Sequence, residues 1–240
     1  MKRSIKSLIG FTLSATDGAI GKVKEFYFDE HTWTIRYMVV DRVTWLSGRA
    51  VLISTEALLS VDWANKTFLV DLNRDQIKNS PDINTNEPVS RQEEIKLNSY
   101  YAWEAYWGTG YYGKGPTTDL KQEILEQSVG DENRQLRSTY KVSGYSITAS
   151  NGKIGDVQGF LMDDLNWKII FILVDTGHWL PGKKVLLSPD LIKKIDWKTA
   201  SVILNTTVEH VKQSPEYDPD QELTEAYTLA LNDHYKSPVT

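Results

Sequence analysis

Four aspartates are the first residues to test for chemistry. Asp29 and Asp41 recur as Asp163 and Asp175, always at the end of an apolar, strand-like run. Two carboxylates brought together can hold a cation or act as acid and base. Aspartates at strand ends also cap turns by accepting backbone N–H bonds, and that is the favoured reading here. The four histidines are His31, His178, His210 and His234. Only His178, in a Gly-His-Trp-Leu-Pro-Gly turn, sits where a site is built, and the residue 134 positions before it, in an otherwise similar turn, is Thr44. No His-x-x-x-His, Glu-x-x-His or EF-hand spacing occurs. The chain has no Cys, which excludes disulfides, thiolate nucleophiles and Cys-ligated metal. Gly108 to Gly113 is aromatic and lacks the Lys-Ser/Thr of a phosphate loop. The expectation is therefore no catalytic residue, no metal and no cofactor.

The elements that would position these groups are used twice. At an offset of 134, Arg3 to Pro81 aligns with Arg137 to Pro215 without a gap, and about 25 of roughly 79 positions are identical. The identities include Gly18/Gly152, Phe26/Phe160, Trp33/Trp167, Trp45/Trp179, Val51/Val185 and Trp63/Trp197. Each copy reads as β. Asp17-Gly18 and Asn151-Gly152 are hairpin turns, and Ile35–Val40 and Ile169–Val174 are apolar, β-branched runs fit for central strands. About six short strands in ~75 residues predict a small barrel. The expected core is Val23, Phe26, Ile35, Val39, Val51 and Ile53, with Val157, Phe160, Ile169, Leu173, Val185 and Leu187.

Between the copies, Ser90-Arg91-Gln92-Glu93 reads as a capping box that opens a helix over Arg91–Trp107. A shorter helix is expected near Asp119–Gln127, and Gly130–Gln135 reads as solvated linker. The partner of the first helix is Gln221–Tyr235. The organisation is thus barrel 1 over 1–84, a helical and aromatic/Gly-rich linker over 85–136, barrel 2 over 137–218, and a helix and tail over 219–240.

The spacing Asp-Gly-x-Ile-Gly-x-Val, Phe-x-x-Asp, Trp-x-Ile, Val-Asp, Trp-Leu-x-Gly and Val-Leu-x-Ser, over Asp17–Ser54 and again over Asn151–Ser188, resembles the PRC-barrel family. Pro88–Gln92 and Tyr101–Trp107 are similar to the segment that trails a barrel in tandem bacterial members. The resemblance implies a mainly β fold, two tandem small PRC-like β-barrels, each with a helix after it. The family includes the cytoplasmic part of the photosynthetic reaction centre H subunit and ribosome maturation factors. Its pattern is made of turn glycines and core apolars and carries no chemistry of its own.

The chain has 240 residues, a net charge of −5 and a pI near 5.5. The segments 82–136 and 216–240 each come to about −5, and the repeats are near neutral. No Lys/Arg-rich run exists, so nucleic acid is not an expected partner. The longest pure apolar run, Ile169–Val174, is far short of a membrane span, and a cytoplasmic location is expected. Large apolar residues in tight turns, Trp45-Leu46 and Trp179-Leu180, either dock a partner or fold back beneath the turn. Tyr100–Tyr112 is dense in aromatics, and Trp103, Tyr106, Trp107, Tyr111 and Tyr112 join the candidate interface. The leading expectation is a non-enzymatic interaction or scaffold module with a protein partner or self-association, including a homo-oligomer. An assembly or electron-transfer accessory factor, by family analogy, and an enzyme of unknown chemistry stand behind it.

Overall fold

The computed structural model describes residues 1–40, 51–84, 88–107, 135–177, 184–219 and 221–236. It is mainly β. In chain order the elements are β1 (Lys2–Ser4), β2 (Thr12–Ala15), β3 (Gly18–Asp29), β4 (Thr34–Val40), β5 (Val51–Ser54), β6 (Leu58–Asp62), β7 (Thr67–Val70), α1 (Arg74–Lys78) and α2 (Arg91–Tyr101). The second half contributes β8 (Leu136–Ser138), α3 (Thr139–Val142), β9 (Ser146–Ala149), β10 (Gly152–Asp163), β11 (Lys168–Asp175), β12 (Lys184–Leu187), β13 (Ile192–Asp196), β14 (Ser201–Leu204), α4 (Val208–Lys212) and α5 (Glu225–Lys236).

The chain divides into two units. One comprises Ile9–His31 and Arg36–Arg137; the other comprises Met1–Leu8, Thr32–Ile35 and Ser138–Thr240. The strand order of the first is β6-β7-β2-β3-β4-β5 with β8 on β3, and that of the second is β13-β14-β9-β10-β11-β12 with β1 on β10. These are the same order at the same offset. Both ladders run as open paths among the described residues; neither closes into the ring expected of a barrel. In each, a parallel pair (β2 with β7, β9 with β14) ties the first hairpin to the last. Even the left-handed residues repeat: Trp33 and Trp167 have φ of 56° and 58°, Lys66 and Ala200 of 52° and 48°.

The units cut the chain differently from the repeat. Each repeat's first strand is spent on the other's long strand: Lys2, Arg3 and Ser4 pair with Asp163, Met162 and Leu161, and β8 pairs with β3. Ion pairs pin both strands. Arg3 Nε lies 2.6 Å from Asp164 Oδ2. Arg137, at the equivalent place, grips Glu30 through Nε and Nη2, both at 2.7 Å. Gln135 is not solvated linker: its carbonyl accepts from Glu30 N at 3.1 Å.

Eleven of the twelve expected core residues are buried; Leu173 is half-buried and packs against the second unit's core cluster. Gly155 explains one identity of the repeat. It lies at a bulge of β10, at φ 156°, and a Cβ there would stand 1.9 Å from Asp175 O.

The trailing helices lie on their own units. Leu97 of α2 packs with Tyr27, Tyr37, Val39 and Leu52, and Leu231 of α5 packs with Leu161, Phe171 and Leu186. The Ser90/Glu93 capping box is present, but α2 ends at Tyr101, short of the expected Trp107. Ala102 turns left-handed, at φ 58°, and donates to Asn98 O. The chain then doubles back, so that Trp103 stacks on Tyr101 with centroids 4.1 Å apart. The second helix runs Glu225–Lys236 rather than from Gln221. Thr224 Oγ1 accepts from Tyr227 N at 3.2 Å and takes the cap position. The helix expected at Asp119–Gln127 falls outside the described residues. Among the described residues no helix is long and apolar enough to cross a membrane.

Candidate functional site

The paired aspartates do what turn residues do. Asp29 Oδ1 accepts from His31 N at 2.9 Å, Asp163 Oδ1 from Leu165 N at 3.0 Å, and Asp175 Oδ1 from Gly177 N at 2.9 Å. Asp41 lies outside the described residues. Among the described residues no group of three or more His, Asp or Glu is placed to hold a metal ion. His178 is also outside them. His210 and His234 meet with ring centroids 4.6 Å apart, but each Nε2 donates to the other's backbone carbonyl, at 3.1 and 2.8 Å.

Asp29 has a second role that its spacing does not announce. Its Oδ2 is 3.2 Å from the hydroxyl of Tyr106, which lies 2.9 Å from Glu94 Oε1. Arg91 completes the cluster, with Nη1 2.7 Å from Glu94 Oε2 and 3.1 Å from Tyr106 OH. Its Nη2 donates to Gln135 Oε1 and stands 3.9 Å from Asp29 Oδ2. Tyr37 OH is 3.2 Å from Asn98 Oδ1 and 3.4 Å from Glu94 Oε1. Arg36 and Arg91 lie over the aromatic rings: Arg36 is 3.7 Å from the Tyr106 centroid and Arg91 is 4.0 Å from that of Trp107.

Local structure explains this convergence. Arg91, Glu94 and Asn98 fall at i, i+3 and i+7 on α2, beside Leu97, on the face that packs against the sheet. Asp29 ends β3, Tyr37 and Arg36 come from β4, and the left-handed Ala102 brings Tyr106 back over the helix. Glu94 is 0 % exposed. Burial pushes its carboxyl up to about 7; Arg91 and the tyrosine hydroxyls work against that shift, and Asp29 adds to it. Burial, with Glu94 next, holds the hydroxyls of Tyr37 and Tyr106 far above the usual phenol range.

Residues 2–77 match the PRC-barrel domain family. No curated protein matches the chain. The matched span contains β1 to β7 and most of α1, so it includes Asp29, Arg36 and Tyr37. Arg91, Glu94, Asn98, Tyr106 and Gln135 lie C-terminal to it. The buried cluster thus joins the span that matches the family to the helix after it.

The candidate interface residues divide. Trp45, Leu46, Trp179, Leu180, Tyr111 and Tyr112 lie outside the described residues. Trp103, Tyr106 and Trp107 are half-buried and engaged by their own unit, through Tyr101, the carboxylates and Arg91 respectively. Exposed large apolar residues lie elsewhere: in the second unit Leu165 at the β10–β11 turn is 85 % exposed, Tyr140 on α3 71 % and Leu229 on α5 57 %, and in the first Leu59 on β6 is 55 % exposed. Sequence reasoning passed over Arg91, Glu94, Tyr37, Asn98 and Gln135. The available signal was polar residues at helical spacing on both sides of Leu97, on the face that must pack.

A separate cleft of about 660 Å³ lies in the second unit, lined among others by Lys184, Glu216, Tyr217, Asp218, Glu222 and Tyr227. It contains none of the clustered groups.

Proposed function

We propose that the chain is a non-catalytic interaction module that presents an apolar surface of its second unit to a protein partner. The observation that carries this reading is the exposure of Tyr140 on α3, Leu165 in the β10–β11 turn and Leu229 on α5. The groups that could do chemistry support it from the other side. The aspartates are committed to turns, and Glu94 is fully enclosed, with its oxygens bonded to Arg91 and Tyr106. A general acid or base has to reach the atom it serves.

Affinity capture with the full chain from native lysate, against the triple variant Tyr140→Ser, Leu165→Ser, Leu229→Ser, tests the proposal. A partner retained by the native chain and lost by a folded triple variant is the expected outcome. Identical capture by both chains removes this surface from the reading. Turnover of a substrate by the purified chain would replace the module with an enzyme.

A further inference from the structure

The hydroxyl protons in the buried cluster do not suffice for its contacts. Tyr106 OH faces two carboxylate oxygens, Glu94 Oε1 at 2.9 Å and Asp29 Oδ2 at 3.2 Å. Tyr37 OH faces Asn98 Oδ1 at 3.2 Å and the same Glu94 Oε1 at 3.4 Å. Each hydroxyl carries one proton. With Glu94 ionised, one carboxylate oxygen is left pressed against a lone pair of Tyr106, although both carboxylates are buried. A proton on Glu94 Oε1 resolves this. Glu94 then donates to the Tyr106 oxygen, Tyr106 donates to Asp29, and Tyr37 donates to Asn98. Arg91 Nη1 still donates to Glu94 Oε2 and to Tyr106.

We propose that the Glu94 carboxyl is the proton-binding site of a latch: protonated, it holds the Trp103–Trp107 segment and α2 on the sheet, and its ionisation loosens them. Tyr106 is the link, because it is the one side chain of that segment bonded to both carboxylates. The charged and titratable groups facing Glu94 are Asp29 from β3, Arg36 and Tyr37 from β4, Arg91 from its own helix and Tyr106 from the returning segment. Asp29 opposes ionisation of Glu94, and Arg91 favours it. Glu93 lies one residue away but is spent on capping, accepting from Ser90 N at 2.9 Å. The latch belongs to the first unit alone, since Thr228 and Phe171 occupy the positions of Glu94 and Tyr37 in the repeat.

Hydrogen exchange of residues 91–107 in the full chain, compared near pH 6 and near pH 8 after correction for intrinsic rates, tests the latch. With the carboxyl at about 7 when enclosed and 4.5 when free, opening should rise about tenfold between the two pH values. In Glu94→Gln the amide donates to Tyr106 as the neutral acid does, so protection should match the low-pH native value at both pH values. An unchanged native protection factor overturns the proposal, and so does an equal rise in Glu94→Gln. Where that variant does not fold, a carbon-13 titration of Glu94 in the native chain decides: a midpoint near 7 supports the latch, and one near 4.5 overturns it.

Discussion

Where its helix meets its sheet, the first repeat places Tyr27, Arg36, Tyr37, Arg91 and Glu94. The second places Leu161, Ile170, Phe171, Glu225 and Thr228 at the same five positions. The surrounding frame is alike in strand order, left-handed turn residues and the leucine at the helix centre, Leu97 or Leu231. The second contact is a largely apolar seam with no carboxylate at these positions that is bonded to the sheet. The first is a polar network in which each donor must find its acceptor, and a missing partner costs about 1–3 kcal/mol. The contrast continues outside: Tyr140 and Leu165 replace Lys6 and His31. One frame has thus been given two interiors, one with a buried carboxylate network and one with an apolar seam.

The largest effects should fall on what the halves share. Phe26 and Phe160 are both buried, at 0 % and 2 % exposure. Either one changed to Ala should lose about 3–5 kcal/mol in denaturant unfolding. A cost several-fold greater in one half would break the claim of a common frame. Next come the ion pairs that pin the exchanged strands. Arg137 is almost wholly buried and grips Glu30 with two bonds, whereas Arg3 keeps about a quarter of its side chain in solvent. Arg137→Ala should therefore cost about 3 kcal/mol and Arg3→Ala about 1 kcal/mol. Equal losses would mean that enclosure of the pair does not set its worth.

The interiors themselves should differ in pH response. Burial raises Glu94 to about 7, above the 4.5 of the free carboxyl. Its contribution to stability is then full below about 4.5 and is lost as the pH climbs through 7. Between about pH 6 and pH 8 the loss is on the order of 1 kcal/mol. Chemical denaturation followed at first-unit residues should show that decline, and Glu94→Gln should abolish it. Tyr37→Phe, which installs the side chain of the second repeat, sharpens the comparison. It removes the bond to Asn98 and should cost about 1 kcal/mol while leaving the decline in place.

Much of this frame is readable from residues that act locally. The hairpins expected at Asp17-Gly18 and Asn151-Gly152 are there, one residue early, with Thr16-Asp17 and Ser150-Asn151 as the loops and each glycine opening the next strand. Ile35–Val40 alternates no polar face and so runs through the core, and Asp29 caps the turn two residues on. The exchanged first strands are not readable, for a physical reason. Arg3-Ser4 and Arg137-Ser138 are identical, and their acceptors Glu30 and Asp164 carry the same charge. Local preference fits each strand to either long strand, and only the course of the whole chain decides. The buried cluster was hidden differently. Arg91 and Glu94, three apart on a helix, look like a solvated surface pair. Their partners Asp29, Tyr37, Tyr106 and Gln135 are scattered over more than a hundred residues. The helix end at Tyr101 was missed because nothing in Ala102 demands a left-handed turn; the gain comes from Trp103 and Tyr106 folding back.

The smallest effect concerns a bond that the two halves make with different side chains. Tyr100 OH donates to Gln76 O at 2.8 Å, fastening the end of α2 to α1. At the same offset His234 Nε2 donates to His210 O at 2.8 Å, fastening α5 to α4. A phenol and an imidazole thus fill one role. The environments differ, however. Tyr100 is exposed, so water replaces its hydroxyl at the Gln76 carbonyl once it is gone. His234 faces a buried ring that is itself bonded to Thr206 through Nδ1 at 2.9 Å and to the His234 carbonyl. Its loss removes the ring packed on His210 and takes the donor from the His210 carbonyl, while the His210 ring keeps its own bonds. Tyr100→Phe should cost no more than about 0.5 kcal/mol, while His234→Ala should cost about 1–2 kcal/mol. Exchange at the carboxyl end of each helix reads the two separately. A Tyr100→Phe effect as large as that of His234→Ala would show that the shared fastening, rather than its surroundings, sets the strength of the helix ends.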